Sequence, residues 1–584
     1  MPPKNHLALF KSDIEKRVRE LLKTEFSQPD ADVSAFKFET PPNEAMGHLA
    51  LACFPLAKIA KRAPGQIAEV LASRWGESRL FQKIAATGPY LNFFFSPAFL
   101  AKELLSVCAE DIEYGNSTYG EGKTIMVEYS SPNTNKPLHL GHCRNNLLGT
   151  SIVNLLEKTG YRVVKTNLVN DRGIHICKSM YAYRRWGDGE TPESAGVKGD
   201  KLVGKYYVIY SEKEKENPDI LRDVRQMLRD WENGEREVIS LWKKMNGWVM
   251  DGFRKTYARM GVTFDKFYFE SETYQGGKEA VNKALEAGIC RREPNGAVSI
   301  DLEAEDLGRK ILLRGDGTAM YITQDINTTV QKFEDYTLDG SLFIVGNEQD
   351  NHFRLLFTIL EKFGYGWAAC CEHVSYGMIA LPEGKMKSRE GMVVDLDDLM
   401  DKMKGMALEE LEKRYGDTLP QEIDREDTAE AIGQSAIKYF ILKTNAARDI
   451  CFNPRESLSF DGATGPYLQY THARICSLLK KAGSGSRTTS SDSGSWQEEE
   501  IRVMVHLLRF PDAIAQSAKN RNPAILCVYI YDVCRSYNNF YCQYPILKTQ
   551  SPSIREARLL LSQATKSVIA KTLDILGIEP QERM

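Results

Sequence analysis

Residues 127–149, VEYSSPNTNKPLHLGHCRNNLLG, constrain the fold more than any other part of the chain. A β-branched, apolar run over residues 124–127 breaks into a polar loop. That loop ends on two histidines three positions apart, just before an apolar-periodic stretch. "NNLLGTSIVNLLEKTG" reads as a helix ended by Gly160, and "YRVVKTNLVND" as the next strand. Strand, loop, helix and strand at this spacing predict a βαβ unit of an open parallel sheet. Strand patterns return at "TAMYITQD", "SLFIVGNEQD" and "HVSYGMIAL". The charged, helix-like residues 185–300 between them read as one insertion into a nucleotide-binding domain.

At 584 residues the chain exceeds a single core, so flanking domains are expected. Residues 1–115 read as a small α+β unit. "FKSDIEKRVRELLK" is an amphipathic helix, "PLAKIAKRAPGQIAEVLASRW" is further helix, and "YLNFFFSPAFL" is a strand followed by a proline-started helix. The lysines and arginines there read, by themselves, as a solvated face. Catalytic residues 116–400 give way to helix: a junction over 401–460 and a bundle over 461–584. The Gly/Ser/Thr-rich residues 483–495 cannot contribute a core and read as a loop. No run of 18 apolar residues predicts a membrane span, and an early charge argues against a secretory signal. Twelve cysteines without CxxC spacing read as reduced thiols of a cytoplasmic protein. A net charge of −3 neither requires nor excludes a nucleic-acid partner, which needs only a local basic face.

In an open parallel sheet, ligands sit beyond the carboxyl ends of the strands, where helix N-termini attract anions. The 130–142 loop lies there. Gly141 allows close backbone approach, His139 and His142 can donate to phosphate oxygens, and Lys136 adds a positive charge. Two plainer readings compete: half a zinc site, which lacks clustered further ligands, and helix-capping histidines. A second basic loop, "LPEGKMKSREG", follows the strand "HVSYGMIAL" and suits a lid over a triphosphate.

HLGH and KMKSR resemble the two signature motifs of class I aminoacyl-tRNA synthetases. "SSPNTNKPLHLGHCR", "AMYITQD", "GNEQDNHF", "SFDGATGPYLQYTHARI" and the terminal "EPQERM" resemble arginyl-tRNA synthetases in particular. The resemblance implies a Rossmann-type parallel-sheet catalytic domain with an inserted connective region. It also implies an α+β N-terminal domain meeting the tRNA elbow and an all-α anticodon-binding bundle. The implied reaction is ATP-dependent activation of L-arginine to the adenylate and transfer to the 3′ end of tRNA(Arg), releasing AMP and pyrophosphate. ATP enters with Mg2+ as the substrate complex, with no tightly bound protein metal, and the chain is expected to be a monomer.

By the same resemblance, Pro132, His139, His142, Lys385 and Met386 bind ATP. Gly141 makes room for the adenosine, and Lys385 and Ser388 belong to the catalytic lid. KMKSR carries serine where the family motif has its second lysine, and Lys136 supplies part of the missing charge. Glu128 and Asp325 are expected to hold the guanidinium, with Asn133, Tyr321 and Gln349 beside them. Planar, five-donor guanidinium is matched best by carboxylates in bidentate contact. Tyr537 and Met584 are expected toward the anticodon, although rings at 537, 540, 541 and 544 also suit a helix core. Two other readings stand: a small nucleotidyltransferase, which predicts a chain without the C-terminal bundle, and a catalytically altered paralogue acting as a tRNA-binding protein.

Overall fold

The computed structural model describes residues 5–28, 36–105, 112–274, 276–382, 394–416, 424–483 and 496–584. The opening helix, His6–Phe26, is capped by Asn5, whose side chain accepts from the Ala8 N–H at 3.0 Å. Its apolar face (Phe10, Ile14, Val18, Leu22) is buried. It belongs to a unit with a four-stranded antiparallel sheet in the order Lys37–Glu39, Leu49–Ala52, Tyr90–Phe95, Phe81–Thr87. The expected second helix is two, Leu56–Ala60 and Pro64–Arg74, separated where Lys61 turns left-handed at φ 52°. This unit docks on the C-terminal bundle: Lys11 pairs with Asp512 at 2.6 Å, and Arg509 donates to the His48 carbonyl.

The central sheet has five strands, all parallel, in the order Cys371–Tyr376, Gly340–Gly346, Thr124–Glu128, Arg162–Val169, Lys266–Phe269. The chain runs outward from Thr124–Glu128 in one direction, then returns to build the other side from Gly340–Gly346. The topological switch point therefore lies between these two strands, where such sheets bind nucleotides. Strands buried on both faces explain the nearly continuous apolar runs that made them recognisable.

Three expectations change. The 185–300 segment is not one excursion: helices Gly199–Glu216, Ile220–Glu232 and Arg236–Met260 leave the sheet, and Lys266–Phe269 rejoins it as an edge strand. A second excursion then forms a three-stranded antiparallel sheet over Cys290–Arg292, Val298–Leu302 and Gly308–Leu313. "TAMYITQD" is not a strand. Ala319 makes only an isolated bridge to Leu313, and Tyr321–Asp335 is helix. "HVSYGMIAL" breaks at Gly377, and its second half, Ile379–Ala380, pairs with Ile450–Cys451 instead.

Beyond residue 394 the described chain is mostly helical, as expected, from Leu396–Tyr415 to Pro552–Ile575. Among the described residues no helix is long and apolar enough to cross a membrane.

Candidate active site

The loop leaving Thr124–Glu128 carries Ser130 and Ser131 at φ 77° and 44°, consecutive non-glycine residues in the left-handed region. Such backbone is costly and persists only where surroundings hold it. Here buried amides do so. Asn145 accepts from the Ser130 N–H at 2.5 Å and donates to the Ile344 carbonyl at 2.7 Å, while Asn167 accepts from the Ser131 N–H at 3.2 Å. The Tyr257 hydroxyl ties Ser130 Oγ (2.6 Å) to Asn167 (3.1 Å). Pro132 is buried, and its carbonyl accepts from the Asn170 N–H at 3.0 Å. Asn133 makes a parallel bridge to the same Asn170, so the loop is pinned to the end of the neighbouring strand.

The histidines cap their own helix, Leu140–Lys158. His139 is the N-cap and its Nδ1 accepts from the Gly141 N–H at 3.1 Å; His142 Nδ1 accepts from the His139 N–H at 3.2 Å. Capping and phosphate binding, set against each other in the sequence, are therefore compatible. Burial pushes His139 down to about 3 and His142 well below the usual imidazole value, so both rings are neutral at pH 7. With each Nδ1 accepting, the single ring proton sits on Nε2, and each imidazole is left with one donor. At Gly141 the histidine ring lies close: a Cβ there would stand 3.0 Å from His139 Cε1. Burial also pushes the Lys136 ammonium below its ordinary value.

The acids depart from expectation in one respect. Glu128 is buried, and its carboxylate lies 2.5 Å from the ammonium of Lys332, itself 1% exposed. It is not a free strand-end acid; a lysine distant in sequence already neutralises it. Asp325 is one turn after Tyr321 on the same helix and a third exposed, with His352 Nε2 at 2.7 Å. That contact raises His352 above its ordinary value. Tyr321 is 79% exposed at the helix start, and Gln349 occupies the N-cap position of Asp350–Lys362, the helix that carries His352.

One acid was missed. Glu270 follows the edge strand Lys266–Phe269 and is pushed up to about 8, first by burial, then by the charges of Asp325 and Asp171. Asp171 is itself held by the Ser271 N–H and hydroxyl at 2.9 and 2.6 Å. The signal for Glu270 was a short aromatic strand ending in an acid, hidden inside what reads as an insertion.

Arg144 was missed too. It is 1% exposed and donates to four carbonyls, of Gly377, Met378, Ala446 and Arg448, at 2.5 to 2.9 Å. It thereby ties the histidine helix to the segments that enter both strands of the small Ile379–Ala380 pair. Lys385, Met386 and Ser388 lie outside the described residues. Tyr537 is corrected: it is fully buried, with its hydroxyl on Ser562 Oγ at 3.0 Å, and so presents no face to a base. Met584 is half-buried against the main core. Among the described residues no group of three His, Cys, Asp or Glu side chains is arranged to hold a metal ion.

A parallel sheet whose switch point is lined by an HxGH helix start, followed by a helical C-terminal bundle, is the arrangement of a class I aminoacyl-tRNA synthetase rather than of a small nucleotidyltransferase. The family model for class I (R) tRNA synthetase catalytic domains matches residues 103–454. The DALR anticodon-binding model matches 468–584, and the arginyl tRNA synthetase N-terminal model matches 9–95. The chain is 44% identical over 559 residues to an arginine–tRNA ligase of Treponema denticola, covering 94% of each. It is 44% identical over 570 residues to one of Bacteroides thetaiotaomicron, covering 93% of this chain and 94% of the relative. The arginyl-tRNA synthetase of Thermus thermophilus superposes with a TM-score of 0.82 at 25% identity, covering 98% of this chain and 100% of that one. The chain belongs to the arginyl-tRNA synthetase family.

Lys332→Met strands the Glu128 charge in the interior and is expected to destabilise the catalytic domain by about 3–5 kcal/mol. Adding Glu128→Gln should recover most of that loss. Urea unfolding of the two variants measures it; a single variant as stable as the parent would contradict the pairing.

Proposed function

We propose that this chain performs its family's arginine–tRNA ligation by placing the guanidinium among Asp325, Glu270 and Tyr321, with the nucleotide at the histidine loop. The observation that carries the reading is Glu270, raised to about 8 beside Asp325. Two acids in partial conflict favour a cation between them, and a guanidinium can fork onto both. Glu128 acts from behind, through its pair with Lys332, and not as a direct partner. Asn133 and Gln349 then face the α-amino and carboxylate end of the substrate.

Activation needs no protein nucleophile. The arginine carboxylate oxygen attacks the ATP α-phosphorus, and the bond to the bridging oxygen breaks to release pyrophosphate. The 3′-terminal ribose hydroxyl of tRNA next attacks the arginyl carbonyl carbon, and AMP leaves. Orientation and charge stabilisation supply the rate. The Nε2–H groups of His139 and His142 donate to phosphate oxygens without competing for a proton, because both rings are neutral. Lys136 adds positive charge on the same loop, with Lys385, Met386 and Ser388 as the lid. Mg2+ accompanies ATP as part of the substrate.

Residues 1–115 take the tRNA elbow, 116–400 the chemistry, 401–460 the stem and 461–584 the anticodon. With Tyr537 in the core, Met584 remains the candidate toward the anticodon. A cytoplasmic monomer completes the proposal. An altered, non-catalytic paralogue is disfavoured by the intact HLGH and Asp325.

Asp325→Asn is expected to raise KM for arginine on the order of 100-fold while KM for ATP stays within about threefold, as removal of one partner of a desolvated charge pair does. Steady-state charging of tRNA(Arg) reads both values, and equal rises would remove Asp325 from the guanidinium site. Lys136→Ala should lower kcat about tenfold or more at saturating arginine; an unchanged kcat would sink its role.

A further inference from the structure

We infer that Lys198 is a positioning residue for the histidine loop, acting on His139 through Asp397 and the backbone paired beside it. This rests on the ligase reading above, which puts the nucleotide at that loop, and names what holds the loop in place.

The loop is held from two sides. On one side lies the backbone entering the helix Leu396–Tyr415: His139 makes an antiparallel bridge to Asp395, and the Leu396 N–H donates to the Leu138 carbonyl at 2.9 Å. On the other stands the helix Gly199–Glu216, where a Cβ on Gly204 would meet Pro137 Cδ at 2.8 Å. That helix backbone packs directly on the loop. Neither hold comes from the central sheet, and the two segments are far apart in sequence.

Lys198 joins the two holds. It immediately precedes Gly199, and its ammonium pairs with Asp397, in the first turn of the later helix, and with Asp200 at 3.4 Å. It also donates to Thr256 Oγ1 at 2.5 Å, on the helix Arg236–Met260, and Thr256 donates in turn to Asp397 at 3.0 Å. Asp395 caps the later helix, accepting from the Asp397 and Asp398 N–H groups at 2.8 and 3.2 Å. A shift of Asp397 is thereby passed to Asp395 and on to His139. Lys201, one turn after Lys198, adds a tie to Asp398 at 2.6 Å.

The charges show why this position needs a cation. Among the described residues the cluster sets four carboxylates, Asp200, Asp395, Asp397 and Asp398, against two ammonium groups. The Asp200 side chain is fully buried, its Oδ1 has no hydrogen-bond partner among the described residues, and burial pushes its carboxyl above the ordinary value. A Cβ on Gly252 would stand 2.2 Å from that oxygen, so the helix Arg236–Met260 packs tightly over it. Without the Lys198 ammonium, Asp200 and Asp397 lose the charge that links them, and the two holds separate. A misplacement of about 1 Å can cost on the order of 100-fold in rate.

The test compares the full chain with its Lys198→Met and Lys198→Arg variants. Lys198→Met should lower kcat/KM for ATP in tRNA(Arg) charging on the order of 100-fold. Its Kd for a non-hydrolysable ATP analogue, read by calorimetry, should rise about tenfold. Its Kd for arginine should stay within about twofold, because Asp325, Glu270 and Tyr321 lie outside the cluster. Lys198→Arg, which keeps a cation there, should recover most of the loss. Unchanged ATP kinetics and analogue binding in Lys198→Met would overturn the inference. So would loss of arginine binding together with activity, which would make Lys198 a support of the whole domain and not of the loop. Failure of the unsubstituted chain to charge any tRNA would overturn the ligase reading instead, while analogue binding still decides the role of Lys198.

Discussion

The site is organised around a buried acid in acidic company. Burial raises the Glu270 carboxyl most, and the charges of Asp325 and Asp171 raise it further. Arg172, whose charge counters this, is already engaged with Glu232 at 2.9 Å and with the Tyr274 ring at 4.0 Å. Asp325 leans on His352, an imidazole whose charge depends on pH. In the proposed reading a guanidinium supplies the positive charge this arrangement calls for. The arrangement also costs stability. Glu270 titrates near 4.5 in an unfolded chain and near 8 in the folded one, so the folded state binds the extra proton between those values. Its contribution is present below about 4.5 and is lost as pH rises through about 8.

The phosphate side follows a different logic, in which local backbone decides the chemistry. Two left-handed serines turn the chain out of the sheet, and buried asparagines hold that turn. The turn delivers His139 to the N-cap position, and the reciprocal cap leaves each ring a single Nε2 donor. Capping is therefore what selects the tautomer. Arg144 carries the same rigidity outward, since two of its four carbonyl partners belong to the segment that leads, in sequence, to the basic lid motif.

Local patterns were legible where structure is local. The strand Thr124–Glu128, the helix after it and the next strand followed from apolar runs and Gly160, and HLGH announced the helix start. Long-range pairings were not. Nothing near Glu128 in sequence indicates Lys332, so the ion pair between them was not legible. Glu270 was invisible because a four-residue edge strand among charged helices leaves too short a periodic signal. "TAMYITQD" has strand-like composition, yet its tertiary setting makes it a helix that presents Tyr321 and Asp325 on one face. The spacing at Tyr537 fits a helix face without saying whether that face meets solvent or a partner helix, and here it meets the Pro552–Ile575 helix through Ser562.

The central claim is that arginine binds as the cation these acids lack, and proton release tests it most directly. Guanidinium binding should ionise Glu270 and, by taking Asp325, weaken the hold of His352 on its proton; both changes release protons. Isothermal titration of arginine into the protein at pH 7, in two buffers of different ionisation enthalpy, should therefore give heats that differ in the sense of net proton release. The contribution from Glu270 should shrink sharply at pH 9, where that carboxyl is already largely ionised. Buffer-independent heats at pH 7, or net proton uptake, would contradict the account.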